Sequence, residues 1–201
     1  MGDLRQETVD TYNKSAKELA EYFRGIGPRV KYMDMAFDAV GNPESAKVLE
    51  IGCGDGRDAK ALVERAEYTG FDISEELIKL ARAHVSNATF EVADAATYSY
   101  PQDLDIVFAF ASLLHLNKEE LGTVLRRVHE ALKSGGIFYI SLKWAPEYTE
   151  TIKEDKFGRR LFYLYNSDVI QELASDDYEI VTTFREVHGH TDWVEIILRN
   201  R

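Results

Sequence analysis

The stretch Lys47-Val48-Leu49-Glu50-Ile51-Gly52-Cys53-Gly54-Asp55-Gly56-Arg57-Asp58 decides how the rest of the chain is read. Its first five residues are mostly apolar and predict a short strand, the glycines that follow predict a tight turn, and Ala59, Leu62 and Val63 open a helix. Strand, glycine turn and helix together bring a ligand against bare main chain, because glycine has no Cβ to hold it off. The spacing is selective. A dinucleotide turn needs glycine at its first, third and sixth positions, whereas Gly52, Gly54 and Gly56 stand first, third and fifth and Arg57 holds the sixth. A phosphate-binding loop needs Lys and then Ser or Thr after its last glycine, where this chain has Arg57 and Asp58.

Outward from this turn, strand-like and helix-like periodicity alternate, as in α/β folding. Residues 68–73 predict a second strand, and Ser74 caps a helix with Glu75 and Glu76 in its first turn and Leu77, Ile78, Ala81 and Val85 on its apolar face. Strands are predicted over 89–93 and 104–110, the latter apolar almost throughout and therefore central. Asn117 and Glu120 have the spacing of a capping box for a helix that carries Leu121, Val124, Leu125, Val128 and Leu132 and stops at Gly135-Gly136. A fifth strand over 137–142, a helix over 167–174 and an antiparallel pair over 178–187 and 193–198 around Gly189 complete the set. Ahead of the sheet, Tyr12, Ala16, Leu19 and Phe23 form one helical stripe, and a second helix runs from Pro28 to about Gly41. The expected fold is a doubly wound, mostly parallel seven-stranded α/β sheet with an antiparallel C-terminal strand and two N-terminal helices. One domain over 1–201 is expected, with a helical cap over 1–43, a cofactor-binding core over 47–143, and a substrate loop with closing elements over 144–201. Residues 143–165 show no clear period and predict a functional loop or lid.

Val48 to Gly56 resembles the first motif of class I S-adenosylmethionine-dependent methyltransferases. The resemblance gains specificity from Tyr68-Thr-Gly-Phe-Asp-Ile-Ser74, from Val92-Ala-Asp-Ala95, from the stretch Asp105 to Leu116, and from the turn Leu132 to Phe138, with Ser134 where proline is common. It covers about residues 47–143 and implies S-adenosylmethionine as cofactor. It implies that Gly52, Gly54 and Gly56 form the turn beside the methionine end, with Glu50 orienting that turn or meeting the ammonium through water. It places Asp72 on the ribose diol, Ile73 against the adenine, Asp94 on the adenine amine and the Ala95 N–H on a ring nitrogen. The Ala111 carbonyl is placed near an amine. Tyr12 is similar to an N-terminal aromatic that closes over the cofactor, or it is core.

Methyl transfer needs few catalytic groups, since positioning and desolvation supply much of the rate. His115 is a candidate general base if the acceptor loses a proton, or else a packing residue. The chain has no Asn-Pro-Pro-Tyr or Asp-Pro-Pro-Tyr turn, and its one cysteine, Cys53, lies in the glycine turn. Those features count against nucleobase amino-methylation and cytosine carbon-5 methylation and favour a small-molecule acceptor. Tyr22, Lys143, Trp144, Arg159, Arg160 and Tyr163 are the candidate substrate contacts, the arginines suiting a carboxylate or phosphate. A net charge of −11 disfavours nucleic acid, leaving Lys156, Arg159 and Arg160 as the one basic patch. A tRNA or protein methyltransferase, a noncatalytic nucleoside-binding module and a Rossmann-like oxidoreductase are the alternatives. The longest apolar run, 106–114, is far short of the ~20 residues that span a bilayer. Met1-Gly2 lacks the Ser or Thr at position 6 that myristoylation needs, Gln6 standing there, so no membrane is expected. A lone cysteine and no signal peptide fit a reducing compartment, and the cytoplasm is expected. The sequence does not set the oligomeric state.

Overall fold

The computed structural model describes residues 4–201, so the Met1-Gly2 dipeptide lies outside the described residues. Seven strands form one sheet: β1 (Ala46–Ile51), β2 (Ala66–Asp72), β3 (Thr89–Val92), β4 (Leu104–Phe110), β5 (Leu132–Lys143), β8 (Tyr178–His188) and β9 (Thr191–Asn200). Their order is β3-β2-β1-β4-β5-β9-β8, with β1 to β5 parallel and β9 antiparallel to both neighbours. Chain order reverses between β1 and β4, the place where open α/β sheets leave a crevice beyond the carboxyl ends of their strands.

All of β4 is buried, as its unbroken apolar run requires. Val107 and Ala109 face a core shared with Leu121, Val124, Leu125 and Val128 of α6 (Lys118–Ala131) and Ile170 of α7 (Ser167–Ala174). Ile106, Phe108 and Phe110 face the opposite core, shared with Met33 and Phe37 of α3 (Val30–Val40) and Ile78 of α5 (Glu75–His84). Each such side chain contributes about 1.5–3 kcal/mol when fully withdrawn from water.

The caps form where expected. Ser74 Oγ accepts from Leu77 N at 3.2 Å, and Gly41 ends α3 in the left-handed conformation. Asn117 and Glu120 make both arms of the capping box, at 3.0 and 2.9 Å. Asn117→Ala is expected to remove one arm and lower the unfolding free energy by about 1 kcal/mol, read from the urea midpoint.

Three segments differ from the sequence expectation. Helix α6 ends at Ala131, and Leu132 to Gly136, expected to close that helix, already belong to β5. The first predicted helix is two, α1 (Leu4–Lys14) and α2 (Ala16–Ile26), broken at Ser15, whose φ of −105° and ψ of 19° leave the helical region. Ser15 Oγ instead donates to the Phe157 carbonyl at 2.7 Å. The predicted loop is a hairpin, β6 (Thr149–Asp155) and β7 (Gly158–Leu164), a two-stranded antiparallel sheet of its own. It lies against α1: Thr11 Oγ1 donates to the Arg159 carbonyl at 2.9 Å, and Leu161 N donates to Thr8 Oγ1 at 2.9 Å. Gly158, at φ +125°, permits this approach, since a Cβ there would lie 2.9 Å from Thr11 Cγ2. Helix α1 and strand β7 thus make one cover over the carboxyl end of the sheet.

Candidate active site

A cavity opens at the β1/β4 switch point beneath that cover, and Tyr12, Glu50, Gly52, Gly54, Asp72, Ile73, Asp94, Ala95, Ala111 and His115 all line it. The turn after β1 is held by its neighbours. Gly52 N and Cys53 N donate to the Phe71 carbonyl at 2.7 and 3.0 Å, and Ser112 Oγ donates to the Ile51 carbonyl at 2.7 Å. Gly52 has φ +70° and no room for a side chain, because a Cβ there would overlap Ser112, with Ser112 Oγ at 2.9 Å. A Cβ on Gly54, at φ +56°, would meet nothing within 4 Å, so that side of its backbone faces open space. Gly56 does not line the cavity. Its missing Cβ would touch Phe90 at 3.3 Å and Ala81 at 3.4 Å, so this glycine, at φ +78°, lets the turn pack closely against α5 and β3.

Asp72 ends β2, and its two oxygens accept from Gly54 N at 3.0 Å and Ser74 N at 2.8 Å. Burial raises its pKa, while hydrogen bonds from Ser74, Gly54 and Ile73 pull it back. A carboxylate has about four acceptor positions, so acceptor capacity remains for a diol. Ile73 is 38% exposed beside it and lines the cavity. Asp94, after β3, accepts from Arg5 at 2.7 Å and from Ala96 N at 2.9 Å.

The lining beside β1 is also charged. Glu50 is 2% exposed and accepts from Tyr68 OH at 2.6 Å. Burial, then the charges of Asp58, Asp72 and Asp55, hold its carboxyl well above the usual range. Among the described residues no basic group pairs with it, and a buried carboxylate in that position favours a cationic guest. Arg29 and Arg57 also line the cavity, and both engage Asp58, Arg29 at 2.8 Å. The sequence reading missed this pair. Arg57 had a signal in its place directly after Gly56, whereas Arg29 is brought in by the start of α3 and had none.

His115 sits in a 3-10 turn, Leu113–His115, after β4. Its Nδ1 lies 2.6 Å from the Leu161 carbonyl and its Nε2 2.9 Å from Tyr12 OH. A carbonyl only accepts, so Nδ1 carries the hydrogen and Nε2 accepts from the phenol. Burial lowers the His115 pKa to about 4, assisted by Lys143 and Arg160 and opposed by the Leu161 carbonyl. A neutral ring already bonded at both nitrogens orients Tyr12 and is a poor proton acceptor at neutral pH. Its folded pKa is below the unfolded value of ~6.5, so the unfolded chain binds more protons between these values. Stability from His115 is therefore complete above about pH 6.5 and lost as pH falls toward 4. Urea midpoints at pH 7 and pH 5 should differ by on the order of 1–2 kcal/mol more in the parent than in His115→Gln.

The remaining candidates lie outside the cavity lining. Tyr22 is 52% exposed on α2, against Phe157 and Lys156. Arg159 pairs with Glu7 at 3.0 Å, and Trp144 stacks under Arg185, whose guanidinium is 3.3 Å from the ring centre. Tyr163 faces a neighbouring cleft with Glu120 and Glu150. Lys143 and Arg160 stand behind His115 and Tyr12.

The open sheet with its switch point, the glycine turn and a carboxylate at the end of β2 make a Rossmann-like α/β fold with a site at the carboxyl ends of its strands. Residues 48–136 match the family model described as "Methyltransferase domain". Among curated proteins it is 35% identical over 105 residues to a trans-aconitate 2-methyltransferase of Variovorax paradoxus, covering 50% of this chain and 39% of that protein. It is 28% identical over 127 residues to a ubiquinone biosynthesis O-methyltransferase of Stutzerimonas stutzeri, covering 59% and 52%. The chain thus spans about half the length of these relatives or less. In fold it is similar to the Burkholderia thailandensis 1,6-didemethyltoxoflavin-N1-methyltransferase, solved with that compound and S-adenosylhomocysteine, with a TM-score of 0.76, 19% identity and coverage of 96% and 86%.

Proposed function

We propose that this chain transfers a methyl group from S-adenosylmethionine to a small-molecule acceptor. One observation carries the reading: a single cavity is lined by Asp72, Ile73 and Asp94, by bare backbone at Gly54, and by Glu50 with Arg29 and Arg57. That donor set fits an adenosyl group joined to an amino acid. Asp72 would take the ribose diol, Ile73 and Ala95 the adenine, Glu50 the ammonium, and Arg29 or Arg57 the carboxylate. When bound, the cofactor supplies an electrophilic methyl group on a positively charged sulfur.

The chain's own residues position and enclose. Tyr12 closes the cavity from α1, with its hydroxyl fixed by His115. Ala111, at φ +55°, turns the chain at the end of β4 and donates its N–H to the Ser141 carbonyl at 3.2 Å. Such a conformation in a residue with a side chain is uncommon and marks functional turns. The relatives named for trans-aconitate, ubiquinone biosynthesis and a deoxysugar support a small acceptor over RNA or protein, and the charge of −11 agrees. Among the described residues no helix is long and apolar enough to cross a membrane. The single cysteine suits a reducing compartment, and the cytoplasm is the location that we propose. Residues 1–201 act as one domain, with the cap over 1–43, the core over 47–143 and the acceptor-side elements over 144–201.

Labelled-methyl transfer from S-adenosylmethionine into fractionated cell extract tests this reading. Label is expected in the small-metabolite fraction. Label confined to RNA or protein would overturn the acceptor class.

A further inference from the structure

The chain is acidic overall, yet cations gather behind Tyr12 and His115 with little to balance them. Arg160 is 7% exposed, and among the described residues its one ion pair is with Asp155, at 2.5 Å from Nη2. Its Nε is buried without a hydrogen-bond partner among the described residues, a costly state for a charged group. Lys143, at the carboxyl end of β5, rests its ammonium 3.4 Å from the centre of the Phe162 ring, and among the described residues no carboxylate pairs with it. Burial lowers its pKa to about 8, with Lys153 and Arg160 adding to the effect and Asp155 opposing it. Lys153 shares that same Asp155, at 3.5 Å. Three cations therefore face one carboxylate.

The cluster adjoins the cavity. The Arg160 guanidinium lies 5.6 Å from the centre of the Tyr12 ring, and Phe162, which carries Lys143, packs 4.8 Å from His115, centre to centre. Tyr12 and His115 line the cavity itself. A group that supplied negative charge here would satisfy the orphaned Nε, give Lys143 a counterion and restore its basicity. Asp155 cannot do both, since it is already shared.

Resting on the methyltransferase reading above, we propose that Lys143 and Arg160 form a subsite for an oxyanion, so that the acceptor is an anionic small molecule held by a carboxylate or phosphate away from the atom methylated. The ammonium supplies a point charge and the guanidinium a directional donor, the combination suited to such groups.

The test is calorimetric, at constant ionic strength, on the full chain saturated with S-adenosylhomocysteine. Citrate and trimethyl citrate form the carboxylate arm, inorganic phosphate and trimethyl phosphate the phosphate arm. One anion is expected to bind and its neutral ester not, and the responding arm names the group. Lys143→Met and Arg160→Gln should each weaken that anion at least tenfold while leaving S-adenosylhomocysteine affinity within twofold. Should Arg160→Gln fail to fold, Lys143→Met decides alone, since its ammonium contacts only an aromatic face. Binding unchanged in Lys143→Met, or no anion binding while S-adenosylhomocysteine binds, would overturn the subsite. Failure of S-adenosylhomocysteine itself to bind would instead sink the cofactor reading.

Discussion

Gly52→Ala is expected to cost about 3 kcal/mol or more of stability, whereas Gly54→Ala, two residues on in the same turn, costs about 1 kcal/mol. Both positions hold positive φ, +70° and +56°, and share that backbone penalty. They part on what a methyl group meets. At residue 52 it overlaps Ser112, whose hydroxyl is tied to the Ile51 carbonyl and cannot swing away without losing that bond. At residue 54 it enters open space. That space is the proposed seat of the cofactor, so Gly54→Ala should keep the fold and lose about 10- to 100-fold in S-adenosylhomocysteine affinity. Urea midpoints and calorimetry on the two variants separate these effects. Equal stability losses with unchanged affinity in both would mean the turn is only structural.

Asp72→Asn should weaken the same ligand by roughly 100-fold, because hydrogen bonds to a charged acceptor contribute about 1.5–3 kcal/mol. The substitution also turns one of the two accepting oxygens into an amide donor, set against the N–H of either Gly54 or Ser74. Stability should therefore fall by about 1–2 kcal/mol, and the two losses are separable by measuring affinity well below the unfolding midpoint. An Asp72→Asn protein that binds as tightly as the parent would remove this carboxylate from the site.

Much of this was legible in the sequence for identifiable reasons. Residues 46–143 carry their own punctuation: apolar strands, glycines at the turns, and the Ser74 and Asn117 caps. The site residues on that stretch sit at strand ends, so reading the strands placed Glu50, Asp72 and Ala111 together. Parts held by tertiary contact left weaker traces. Strand β6 has no buried residue, and β7 buries four consecutive residues, Arg160 to Tyr163, so neither shows the alternation that marks a strand. The break at Ser15 was hidden because Tyr12, Ala16, Leu19 and Phe23 keep helical spacing across it, and its cause, the Phe157 carbonyl, is remote in sequence. From its position alone His115 read as either a base or a packing residue. Only its two partners, Leu161 and Tyr12, show that both nitrogens are engaged.

The central claim is that one cavity, between the Gly54 backbone, the Asp72 carboxylate and Glu50, holds an adenosyl amino acid. Titration of the folded chain with S-adenosylhomocysteine and, separately, with NADH measures it most directly. The account predicts one site for S-adenosylhomocysteine, weakened in Asp72→Asn, and no NADH binding. A folded chain that ignores S-adenosylhomocysteine, or binds NADH in its place, would contradict it.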